Sequence, residues 1–75
     1  MAIHDYNPAT FSRRFKAAMR ERGKTVSMVS IISGINYNTL MNYAYRGHQP
    51  TAPKICAIAD ALDVSADYLL GRVDR

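Results

Sequence analysis

The sequence predicts an all-α domain, and three observations carry that expectation. Apolar residues recur at helical spacing in short stretches bounded by capping residues. No stretch alternates with period two, and no Asn-Gly or Asp-Gly pair marks a hairpin. The chain has 75 residues, which is one small domain over residues 1–75 and no more. Together they predict a compact body of five short helices.

Each helix has its own punctuation. Asn7 before Pro8 marks the first start, leaving an N-terminal arm of about residues 1–7 that reads as flexible. Phe11, Phe15, Ala18 and Met19 then share a face, and Gly23 ends the helix. Thr25 caps a second helix over about 26–33, with Val26, Val29 and Ile32 on one side. Gly34 follows, where a non-helical turn can use positive φ at little cost. Asn36 caps a third helix over about 37–45. After the loop "RGHQPTAP", Thr51 is the expected cap of a fourth helix, with Pro53 in its first turn and Ile55, Ile58, Ala59 and Leu62 as its inner stripe. Ser65 caps a last short helix, "ADYLL", which Gly71 stops.

Composition narrows the classes. The hydrophobic content of 48% suits a globular chain. The single cysteine, Cys56, forms no internal disulfide, and its apolar neighbours in "KICAIA" give the expectation of a small buried residue. No apolar run is long enough to cross a membrane, and the first residues do not read as a signal peptide, so the expected compartment is the cytoplasm. Net charge is +4, but residues 13–54 hold eight bases against Glu21 alone, a local +7. A basic body with a mildly acidic C-terminal end suits a polyanion partner; a solvated helix face is the plainer reading of the same charges.

The second and third helices are about two turns each with a tight Gly-containing link. That is the layout of a helix-turn-helix over about 26–45, whose second helix enters the DNA major groove. "VSMVSIISGINYNTLMNYAYRGHQP" followed by "ICAIADALDVSADYLLG" resembles the Cro/CI-type (XRE-like) helix-turn-helix family of phage and bacterial repressors. The resemblance covers about residues 11–71 and is strongest at Gly34-Ile35, at Arg46-Gly47 with Pro50, and at "ALDVSADYLLG". It implies a five-helix domain of the lambda-repressor-like type, often dimeric, that binds double-stranded operator DNA. Three departures stand out. Val26 occupies a position where the family usually has Gln, Ser30 one where it favours Ala, and "NYAYRG" is one residue longer than usual.

An α-helix turns about 100° per residue. With Leu40 inward, Tyr43 and Ala44 share its side, while Asn38, Asn42 and Tyr45 fall opposite and Tyr37 and Met41 lie on a shoulder. Asn pairs with the adenine edge, and Tyr or Met can lie on a thymine methyl. The expected base contacts are therefore Tyr37, Asn38, Met41 and Asn42, with A·T-biased readout. The expected phosphate contacts are Thr25 and Ser27 at a helix start, Asn36 beside its capping role, Tyr45, Arg46, His48 and Gln49, and Arg13, Arg14 and Lys24 in flanking positions.

No HExxH, Gly-rich phosphate loop or CxxC pair is present, so no catalytic residue, metal, cofactor or small-molecule ligand is expected. A weak homodimer is expected through the last helices, with Val64, Tyr68, Leu69 and Leu70 as candidates. Two function classes remain: a sequence-specific transcriptional regulator, and a protein-interaction module (an antitoxin or adaptor) that keeps the fold and binds through its Tyr-rich face.

Overall fold

The computed structural model describes residues 7–74, and within them the protein is a bundle of five α-helices. They are α1 (Pro8–Arg22), α2 (Val26–Ser33), α3 (Tyr37–Tyr45), α4 (Ala52–Leu62) and α5 (Ala66–Leu70). The expected arm of about residues 1–7 lies outside the described residues, apart from Asn7.

Local chemistry sets the helix ends. The Asn7 carboxamide accepts from the Ala9 amide, one residue beyond Pro8. Thr25 accepts from Met28, and Ser65 from Tyr68. Asn36 accepts from both Asn38 and Thr39. These bonds satisfy N–H groups that a helix start otherwise leaves open. Thr51 takes the cap position of α4 but makes no side-chain bond there. A capping oxygen normally reaches the second or third amide of the helix, and the second is Pro53, which has none.

One core joins the helices. α1 contributes Phe11, Phe15, Ala18 and Met19, and α3 contributes Leu40, Tyr43 and Ala44. α4 adds Ile55, Ile58, Ala59, Ala61 and Leu62, α5 adds Leu69, and α2 adds only Val29. The Phe11 ring meets Phe15 at 5.8 Å and Tyr43 edge-on at 6.3 Å. α1 packs against α3, α4 and α5, while α2 packs against α3 and α4.

Two expectations about this core are corrected. Ile32 is not a core residue; it is 56% exposed, and beside it Ile31 is 82% exposed. α2 is apolar nearly all round, so periodicity does not choose its inner side; Val29 fills the seam and Ile32 is left at its edge. Cys56 is exposed rather than buried. On α4 it lies about 160° from Ile58 around the axis, beside exposed Asp60, so its apolar sequence neighbours point elsewhere.

Candidate nucleic-acid interface

The turn between α2 and α3 is closed by two serines. The Ser30 hydroxyl donates to the Ile35 carbonyl at 2.6 Å, and the Ile35 amide donates to the Ser33 hydroxyl at 3.2 Å. The Gly34 amide bonds the Ser30 carbonyl at 2.9 Å, with Gly34 left-handed at φ 76°. The Ile35 side chain then plugs into the core. Ser30 therefore bonds across the turn and not only within its own helix, which fixes where α3 begins. Val26, at the start of α2, packs against the core.

α3 is consequently held by its inner side, Leu40, Tyr43 and Ala44, and by its ends. Burial pushes the Tyr43 phenol up from its usual value. At the far end, the Asn42 carbonyl accepts from the amides of Arg46 at 3.0 Å and His48 at 3.3 Å, and left-handed Gly47 sits between them. The Ser12 hydroxyl of α1 donates to the Ala44 carbonyl at 2.5 Å.

The outer side of α3 is open. Tyr37, Asn38, Met41, Asn42 and Arg46 line one shallow cleft of about 450 Å³. Tyr37 and Asn38 are exposed, while Met41 and Asn42 are half-buried. All four residues expected to touch bases thus meet at one cleft, with a single cation at its end. A second hollow of about 410 Å³ lies between α2 and the start of α3, lined by Ser27, Ser30, Ile31 and Tyr37.

The residues expected to hold phosphates are distributed less evenly. Thr25, Ser27 and Asn36 stand at the starts of α2 and α3, although the oxygens of Thr25 and Asn36 already accept from their own helices. Arg46, His48 and Gln49 are exposed after α3, and Arg13 is exposed on α1. Lys24 is half-buried between α1 and α2.

Arg14 is placed differently from its neighbour. Its guanidinium donates to the Tyr68 carbonyl at 2.9 Å and to the Val73 carbonyl, stacks 4.7 Å from the Tyr68 ring centroid, and pairs with Asp74 at 3.7 Å. It ties α1 to α5 and the tail, so the guanidinium expected to hold a phosphate is engaged within the monomer. Arg22 likewise donates to the Asp63 carbonyl at 3.0 Å and closes the end of α4.

The expected dimer residues are also largely committed to the monomer. Leu69 is fully buried, so it cannot meet a partner, while Val64, Tyr68 and Leu70 pack against the core as partly buried residues. Sequence reasoning missed Lys16, whose ammonium lies 4.8 Å from the Tyr45 ring centroid. The signal was present: Ser12 and Lys16 are one turn apart on α1, so both face the end of α3.

Among the described residues no group of three or more His, Cys, Asp or Glu side chains is arranged to hold a metal ion, and no helix is long and apolar enough to cross a membrane. Neither the comparison with curated proteins nor that with solved structures finds a match. Residues 11–70 match the model of a family described as winged helix-turn-helix DNA-binding. The described residues contain no β-strand, so the likeness rests on the helices that surround and include the turn at Gly34. The match spans α1 from Phe11 to the end of α5, and the chain belongs to the winged helix-turn-helix DNA-binding family.

Proposed function

We propose that the protein is a sequence-specific transcriptional regulator of the Cro/CI repressor kind, acting in the cytoplasm on A·T-containing operators. The observation that carries this reading is the cleft on the outer side of α3, where Tyr37, Asn38, Met41 and Asn42 are presented together. The two carboxamides suit adenine edges, and Tyr37 and Met41 suit thymine methyls. An uncharged reading helix needs its grip from elsewhere. Thr25, Ser27 and Asn36 at the helix starts, Tyr45, Arg46, His48 and Gln49 after the cleft, Arg13 on α1 and Lys24 between α1 and α2 supply it. Two such modules on adjacent half-sites, about 34–36 Å apart, would read a palindrome as a weak dimer.

A second reading is a protein-interaction module, an antitoxin or adaptor. It draws on α2, where Met28 stands exposed one turn before exposed Ile31 and Ile32, and on the tyrosines of α3. Salt separates the two readings. Duplex binding through about five phosphates weakens by roughly 10²–10³-fold between 50 and 200 mM salt. Fluorescence anisotropy of a labelled duplex measures this directly. A protein that ignores duplexes at 50 mM salt, or whose affinity for them is flat across that range, is not the regulator described here.

A further inference from the structure

The contact between Lys16 and Tyr45 joins two residues that solvent would otherwise separate. Tyr45 is the last residue of α3 and is 61% exposed. The Lys16 ammonium lies 4.8 Å from its ring centroid, well inside the range of a cation–π contact. Lys16 itself is only half-exposed, unlike Arg13 and Arg20 on either side. One turn earlier, Ser12 holds the Ala44 carbonyl, and Phe11 meets Tyr43 edge-on. The last turn of α3 is thereby locked to α1, and the two partners of the contact are carried on a rigid joint.

Direction gives the contact its use. Around the axis of α3, Tyr45 lies about 20° from Asn38 and about 60° from Asn42. The ring thus stands at the end of the open side that carries the cleft. Around the axis of α1, Arg13, Lys16 and Arg20 fall within about 60° of one another. Lys16 is the member of that row that is bound to α3.

Resting on the reading of α3 as the segment that enters the groove, we propose that Lys16 is a backbone-phosphate contact and that Tyr45 is its positioning residue, acting through its ring. A lysine ammonium has three donors. The face of the ring occupies one side and leaves the others free for phosphate oxygens. Tyr45 then takes part in the phosphate grip through its ring rather than through its hydroxyl.

The two roles come apart on substitution. The test measures duplex affinity across a salt series for wild type, Lys16→Ala, Tyr45→Phe, Tyr45→Ala and the double variant Lys16→Ala/Tyr45→Ala, with circular dichroism confirming the fold of each. Lys16→Ala weakens binding roughly five- to tenfold at 0.1 M salt and lowers the salt slope by about one. Tyr45→Phe keeps the ring and binds as wild type. Tyr45→Ala matches Lys16→Ala, and the double variant is no worse than either. A loss in Tyr45→Phe equal to that in Tyr45→Ala overturns the proposal in favour of the hydroxyl, and an unchanged slope in Lys16→Ala overturns the phosphate contact.

The positioning half is read without DNA. NMR of the free protein should show Lys16 side-chain protons shifted upfield by the ring, in wild type and Tyr45→Phe but not in Tyr45→Ala. Absence of that shift in wild type defeats the positioning role even if DNA binds. Its presence in a protein that binds no duplex defeats the DNA reading, and the phosphate contact with it.

Discussion

The Ser30 hydroxyl and the Ile35 carbonyl oxygen lie 2.6 Å apart, across the turn that links α2 to α3. The bond spans the five positions over which the chain changes direction, so it sets the entry of α3 more than any contact inside either helix. Removing the hydroxyl leaves a partly buried carbonyl without that donor. Ser30→Ala should lower the unfolding free energy by about 0.5–1.5 kcal/mol in a urea titration. An unchanged midpoint would mean that the Ile35 side chain alone holds the turn.

Two left-handed glycines should respond differently to the same substitution. A Cβ at Gly34 meets nothing within 4 Å, so Gly34→Ala should cost only the backbone strain of φ 76°, about 1–2 kcal/mol. A Cβ at Gly71 falls 2.8 Å from the Thr10 methyl, so Gly71→Ala should cost more. Repeating Gly71→Ala in a Thr10→Ala background should bring its cost down to that at Gly34. A Gly71→Ala cost that stays the same whether position 10 is Thr or Ala, measured by urea titration, would rule out the steric contribution.

Arg13 and Arg14 are adjacent in sequence and opposite in role. Arg14 is bonded to α5 and the tail, so Arg14→Met should destabilise the fold by about 1–2 kcal/mol while leaving the salt slope of duplex binding unchanged. Arg13 is exposed, so Arg13→Ala should change stability by less than about 0.5 kcal/mol and lower the slope by about one. The reverse pattern, seen by denaturation and anisotropy together, would exchange the two assignments.

What the sequence made legible was local. Asn7, Thr25, Asn36 and Ser65 bond amides of their own helices two or three residues on, and a cap needs no distant partner to be recognised. Gly23, Gly34 and Gly71 end helices at positive φ for the same local reason. The split of α3 into two sides was also legible, because Leu40, Tyr43 and Ala44 contrast in type with Asn38 and Asn42. Ile32, Cys56 and Arg14 were not, because their places depend on other helices. α2 offers apolar residues on every side, so its neighbours decide which one is buried. Arg14 looks like Arg13 until α5 brings the Tyr68 carbonyl and ring to it across 54 positions of chain. Leu69 read as a surface for a partner because α5 is too short to show that its one fully buried residue is already used.

The most direct test of the account is selection of bound sequences from a random duplex pool at about 0.1–0.15 M salt, with wild type and with Asn42→Ala. Wild type should enrich a short A·T-containing motif, and Asn42→Ala should lose preference at one or two positions of it, by about 1–3 kcal/mol of discrimination, while keeping the rest. A pool that emerges without sequence preference, or an Asn42→Ala pool identical to that of wild type, would contradict the reading of α3 as the segment that meets the bases.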